Sequence, residues 1–273
     1  MMNIRYALLD PTGNVTVLVQ TPVPAADQPA VAARLAVRLA VRLMELEPAA
    51  EQVGFLTTEG DSLRLRMAGG EFCGNAAMSA AALFAVDRGI LGGVLRDGTT
   101  IFVSVSGAAD PVEVKLCACP EEDAVRGTVH MPKPVSVGEE VFPDGSVRPV
   151  VRFAGICHVI AESGLSREDA EAVISDWCRF LRTDAAGIML LDRDRGTLDP
   201  LVYVPAAGTL CWEHSCASGT TAVGAYLAAK DGPVSLSLKQ PGGTLTVEAD
   251  RAGELYLTGK VRLIRRQSLE IAL

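Results

Sequence analysis

The chain has little histidine, no excess of positive charge and no long apolar run, and each shortage removes a class of function. Its three histidines, His130, His158 and His214, are scattered through 273 residues without partners at ligand spacing, so no metal site is expected from them. Cys117 and Cys119 alternate in a strand-like VEVKLCAC, but no second pair follows at zinc-ligand spacing. Seven cysteines at irregular intervals make no disulfide framework either. Lysine and arginine number 25 against 33 aspartates and glutamates, a net charge of −8. Such a balance argues against nucleic acid as a partner, and no basic stripe interleaved with aromatics runs through the sequence. The longest apolar run, within AAMSAAALFAV, is far short of the roughly 20 residues of a spanning helix, so no membrane partner is expected. The first residues, MMNIRYALLDPTGN, lack the charged start, apolar core and small-residue cleavage site of a signal peptide, which makes the cytoplasm the expected compartment.

What the sequence does have is two cysteines in near-identical settings: Cys73 in EFCGNAAMSAAALFAV and Cys216 in WEHSCASGTTAVGAYLAA. Each precedes glycine or small polar residues and then an alanine-rich, helix-favouring run, so each thiol is expected at the first turn of a buried helix. A helix start offers unpaired N–H groups and the positive end of the macrodipole, which lower a thiol pKa and populate the thiolate. One such cysteine suggests a nucleophile. Two suggest inversion of a carbon centre, in which a thiolate takes a proton from one face and a thiol returns one to the other, with no cofactor required. The helix N–H groups are further expected to bind an α-carboxylate and stabilise the carbanion. A lone cysteine is more often a small core residue; the repeated context is what sets these two apart from the other five.

Short alternating or apolar runs dominate the rest and predict strands at 4–10, 15–20, 63–68, 100–107, 112–118, 126–132, 186–192, 201–205, 234–240, 243–250 and 254–264. Helices are predicted over 28–46, after Cys73, and over 166–181, where Ser166 with Asp169 has the form of an N-cap and first-turn carboxylate. The order of strands, helix, strands and a cysteine-headed helix recurs in the second half, as in a duplicated α+β unit. The proline-containing stretch around Pro120 and MPKPVSVGEEVFPDG (131–145) is the expected crossing between halves, and one cysteine helix in each half would set the thiols across an inter-domain cleft. The Pro-Gly-Gly of KQPGG (239–243) predicts a tight turn.

DPTGN (10–14), EQVGF (51–55), EFCGNAAMS (71–79), GICHV (155–159), WEHSCASGT (212–220) and KQPGG (239–243) resemble, in order and spacing, segments of the cofactor-independent diaminopimelate epimerase superfamily. Within it they are most similar to the histidine racemases of staphylopine-type metallophore biosynthesis. The resemblance covers nearly the whole chain. It implies an α+β fold of two pseudo-symmetric domains, each a mixed β-sheet or barrel wrapped around a central helix. Residues 1–122 with 263–273 would form the first domain and carry Cys73, and 123–262 the second, carrying Cys216. It further implies that Cys73 and Cys216 are the catalytic thiols, that Asn14, Gly74, Asn75, Ala217, Ser218 and Gly219 line an amino-acid site, that no cofactor takes part, and that the chain forms a homodimer.

Departures from the epimerase pattern bear on the substrate. Diaminopimelate epimerases have a Glu-Arg pair ahead of the second cysteine, the arginine holding the distal carboxylate; here the pair is Glu213-His214. Histidine is no equivalent of a bidentate arginine fork. The asparagine expected in the preceding strand is also missing from TDAAGIMLL (183–191). Glu51 and Glu213 would make the pocket acidic, which suits an ammonium and an imidazole better than a second carboxylate. L-Histidine is therefore the expected substrate of a racemase, diaminopimelate epimerase is the alternative, and an amino-acid-binding protein without catalysis is the alternative of another class.

Overall fold

The computed structural model describes residues 2–21, 29–90 and 98–271; the side chains of 29–33 and of residue 207 fall outside the description. The chain is α+β and divides into two compact units, Met1–Val129 with Gly259–Leu273, and His130–Thr258.

In the first unit the strands run β1 (Met2–Pro11), β2 (Thr16–Val19), β3 (Gln52–Glu59), β4 (Ser62–Met67), β5 (Thr99–Val105), β6 (Val112–Cys119) and β7 (Ala124–His130). Each pairs with the next, and the C-terminal part of the 17-residue β16 (Leu255–Ile271) follows β7 and pairs with β1, closing an eight-stranded barrel. β2 with β3 and β4 with β5 are parallel; the other consecutive pairs up to β7 are antiparallel. Helix α1 (Pro29–Leu46) lies against β3. Gln28, the expected first residue of that helix, lies outside the described residues. Ala36, Leu39, Ala40 and Leu43 recur at helical spacing and bury one face of α1 on Ile4, Tyr6, Val17, Val53 and Phe55. Helix α2 (Gly74–Asp87) is different: Gly74 through Ala85 are all buried, and it touches β1 through β6. A helix apolar on every side is stable only when surrounded, and alanines along α2 keep it thin enough for a barrel to close around it.

The second unit repeats the plan. Its strands are β8 (Ser136–Val141), β9 (Val147–Phe153), β10 (Ile156–Ala161), β11 (Ala185–Asp192), β12 (Thr197–Val204), β13 (Thr209–Trp212), β14 (Val234–Gln240) and β15 (Gly243–Ala249). They form one path, β8-β9-β10-β11-β12-β14-β15, on to the start of β16, with β13 paired to β12. Helix α4 (Ala217–Asp231) touches β8, β9, β10, β11, β14 and β15 and is buried along most of its length. Gly224 explains one close approach: a methyl there would lie 2.5 Å from Val247 Cγ2. Helix α3 (Arg167–Leu181) covers β11 and β12 with Ala170, Ile174, Trp177, Cys178 and Leu181. Its N-terminus carries the expected capping box, with the Ser166 hydroxyl accepting from Asp169 N and the Asp169 carboxylate accepting from Ser166 N.

The stretch 131–145 is not simply a connection. Its middle forms β8, which pairs with β9 from Ser136↔Arg152 to Val141↔Val147. Among the described residues, no helix is long and apolar enough to cross a membrane.

Candidate active site

Both cysteines are helix N-caps, and both have the extended backbone that position requires. Cys73 (φ −135°, ψ 113°) caps α2, its sulfur accepting from Ala76 N at 3.4 Å. Cys216 (φ −117°, ψ 109°) caps α4, its sulfur accepting from Gly219 N at 3.3 Å. In each unit the first turn of the most deeply buried helix therefore presents a thiol.

Around Cys73 the first unit brings together Asn14, Glu51, Gly74 and Asn75. The β1–β2 turn passes through Thr12 (φ 58°) and Gly13 (φ 89°), with Gly13 N donating to the Asp10 side chain. This turn delivers Asn14 to the interior with no exposed surface. β2 runs parallel to β3 with Thr16 opposite Gln52, and Glu51 N donates to Val15 O at 2.8 Å, so Asn14, Glu51 and Gln52 share one corner. Asn14 Nδ2 donates to Glu51 Oε2 at 2.5 Å. Gln52 Nε2 donates to Asn14 Oδ1 at 2.6 Å, and the Cys73 thiol donates to Gln52 Oε1 at 2.7 Å. Gln52 escaped the sequence reading; its adjacency to Glu51 in EQVGF was the available signal.

Around Cys216 the second unit gathers Glu213, Ala217, Ser218 and Gly219. Glu213 leaves β13 with its N–H on Pro200 O at 2.9 Å, and its carboxylate accepts from the Cys216 thiol. That thiol is pushed well above its ordinary pKa, first by burial, then by the charge and hydrogen bond of Glu213; Gly219 N–H and the Ser218 hydroxyl oppose the shift. Burial thus works against the thiolate expected at this helix start. Gly219 is required by contact: a methyl there would sit 2.1 Å from Met189 Sδ and 3.1 Å from Cys216 Sγ.

Two further residues complete this corner. His158, on β10, is wholly buried, and burial depresses its pKa to about 3, so the ring is neutral. Its Nε2 lies 2.9 Å from Ser218 Oγ, while its buried Nδ1 has no hydrogen-bond partner among the described residues. The single ring proton belongs on Nε2, where it finds an acceptor, and this leaves the Ser218 hydroxyl to point at Cys216 Sγ, 3.7 Å away. Gln240, at the end of β14, accepts from Cys216 N at 2.9 Å. The Pro241-Gly242 turn that follows joins β14 to β15 as expected, Gln240 facing Gly243, and Gly242 N donates to His214 O at 2.7 Å.

Two buried helices, each headed by a thiol with a carboxylate on its hydrogen-bond network, suit proton transfer at carbon. A family model described as the histidine racemase CntK N-terminal domain matches residues 3–266. This chain belongs to the histidine racemase family. A histidine racemase of Fusobacterium nucleatum subsp. nucleatum is 31% identical over 269 residues, spanning 96% of this chain and 95% of that protein. One from Staphylococcus aureus is 28% identical, spanning 92% and 90%. Among solved structures, a probable proline racemase from Agrobacterium radiobacter K84 matches with a TM-score of 0.69 at 13% identity, over 99% of this chain and 93% of that one. The chain is an isomerase of the racemase and epimerase kind, and its fold is shared with the proline racemase type rather than being particular to diaminopimelate epimerases.

Proposed function

We propose that this member of the family interconverts L- and D-histidine in the cytoplasm, as a homodimer and without a cofactor, for metallophore biosynthesis. The two units act as its two domains, each supplying one thiol to the same α-carbon. The observation that carries the reading is the repeated N-cap cysteine: Cys73 on α2 and Cys216 on α4 have the same backbone geometry and the same acceptor role toward the third residue of the helix. In one direction a thiolate removes the α-proton from one face, and the thiol opposite delivers its own proton to the other; the reverse reaction exchanges the roles. N–H groups at the helix starts, from Gly74 and Asn75 and from Ala217, Ser218 and Gly219, bind the α-carboxylate and take up charge as the carbanion forms. Glu213, through its charge and hydrogen bond, favours the protonated thiol of Cys216, the form that returns a proton to the carbanion.

Histidine is favoured over a dicarboxylic substrate because Glu51 and Glu213 supply carboxylates while Glu213-His214 offers no arginine fork. The names of the matching relatives point the same way. Incubation of the reduced protein in D2O with L-histidine and L,L-diaminopimelate, followed by proton NMR, tests both points. Loss of the histidine α-proton alone is the expected result; loss only from diaminopimelate would overturn the substrate. Cys73→Ser and Cys216→Ser should each abolish racemisation, and wild-type turnover in either variant rules out the two-base mechanism.

A further inference from the structure

Gln52 stands between the Cys73 thiol and a carboxylate, and the chemistry of the carboxylate sets the direction of every hydrogen bond in between. A carboxylate only accepts, so Asn14 must turn its NH2 group to Glu51, as it does at 2.5 Å. The Asn14 carbonyl then faces Gln52, which must present its own NH2 group, at 2.6 Å. That leaves the Gln52 carbonyl facing sulfur at 2.7 Å. A carbonyl oxygen has lone pairs and no proton, so it bonds S–H and repels S⁻. Asn14 is fully buried, so its amide is shielded from water, and its backbone carbonyl accepts from Thr16 Oγ1 at 3.0 Å.

We propose that Gln52, oriented by Glu51 through Asn14, is a positioning residue that keeps Cys73 as the protonated thiol in the ligand-free enzyme. The opposing influence is the start of α2, where Ala76 N–H reaches the sulfur at 3.4 Å, a longer contact than the carbonyl makes. α2 has no acidic residue in its first turn, the Ser106-Gly107-Ala108 segment that packs on Phe72 is uncharged, and the Glu71 carboxylate lies against Gly69. Under the two-base reading, on which this consequence rests, Cys73 begins as the acid and Cys216 must give up its proton first.

The test is alkylation of Cys73 by iodoacetamide in the substrate-free full-length protein, measured by peptide mass spectrometry from about pH 6 to about pH 10 around the ordinary thiol range. Gln52→Met keeps the charge of Glu51 but removes the carbonyl, and Glu51→Gln allows the relay to reverse and turn an N–H toward sulfur. Both should alkylate Cys73 about tenfold faster near neutral pH, a midpoint lower by about one unit. Glu51→Asp, which retains the accepting end, should follow the wild-type profile. A Gln52→Met profile superimposed on wild type, or a slower Glu51→Gln, overturns the proposal. A second measurement needs no Gln52 variant: the infrared difference between wild type and Cys73→Ser should contain a hydrogen-bonded S–H stretch at neutral pH, and its absence is equally decisive against the idea. Neither readout involves histidine, so the outcome is separate from that of the racemase assay.

Discussion

Gln240 Oε1 accepts a hydrogen bond from the backbone N–H of Cys216 at 2.9 Å. Gln240 Nε2 donates to Thr220 Oγ1 at 2.8 Å, and Thr220 Oγ1 donates to Cys216 O at 2.7 Å, closing a ring of bonds around the first turn of α4. Gln240 and Thr220 are buried, so no water replaces a lost partner. Gln240→Leu should cost about 1–3 kcal/mol for each buried group it leaves unmatched, read as a lower urea midpoint at unchanged slope. Because the two side chains share one bond, Thr220→Val should cost less in the Gln240→Leu background than in wild type, by at least about 0.5 kcal/mol. Strict additivity would mean the ring contributes nothing as a unit.

Burial of His158 makes stability depend on acid. Its imidazole ordinarily titrates near 6.5 and in the fold only near 3. Below pH 6.5 the unfolded chain takes up a proton that the folded chain refuses, so stability falls as pH falls toward 3. At about 1.36 kcal/mol per unit, lowering the pH to about 5 should remove about 2 kcal/mol through this residue alone. Urea unfolding at about pH 7.5 and about pH 5 should show that loss in wild type but not in His158→Gln; equal losses in both would place the acid sensitivity elsewhere.

At the other end of the pH scale, Tyr6 governs the first unit. Its hydroxyl donates to Glu47 Oε1 at 2.6 Å, and Arg265 closes on the same carboxylate. Burial first, then the hydrogen bond and charge of Glu47, push the phenol up to about 12. Between pH 10 and about 12 the unfolded chain releases a proton that the folded chain keeps, and stability falls as pH rises. Tyr6→Phe should abolish this alkaline loss while costing about 1.5–3 kcal/mol at neutral pH, the usual contribution of a hydrogen bond to a charged group. Denaturant titrations of both proteins at about pH 8 and about pH 11 check both signs at once.

The cysteine helices were legible because a thiol, a small residue and an alanine run coincide twice, and α3 because Ser166 and Asp169 stand three apart ahead of an amphipathic stripe. β3 was not, although EQVGF was noticed: Val53 to Leu56 are consecutively buried, and a strand covered on both faces loses the alternation that marks strands. β8 failed for the opposite reason. Its SVGEEV is mostly exposed and pairs along its length with β9, and Val137 and Val141 alone do not mark an apolar face. At Cys216 the alanine run that announces a helix start also announces burial, and burial is the largest cause raising that thiol. For Gln52 the sequence offers only its adjacency to Glu51 in EQVGF, because its part depends on Asn14, 38 positions earlier.

Gly187 on β11 holds the place against which His158 sits. It lies opposite His158 in the parallel β10–β11 pair, and a methyl added there would fall 2.3 Å from His158 Nδ1 and 2.9 Å from Cε1. Those are ring atoms of a wholly buried side chain, with no flexible end to move aside. Gly187→Ala should therefore cost about 1–3 kcal/mol, the usual range for overpacking. It should also lengthen the 2.9 Å contact to Ser218 and lower racemisation with it. The cause can be isolated, because in a His158→Ala background the added methyl enters vacated space and the same substitution should cost little. A penalty that persists in that background would assign the requirement for glycine to Met189 Cε, also 2.9 Å from the added atom, and not to the imidazole.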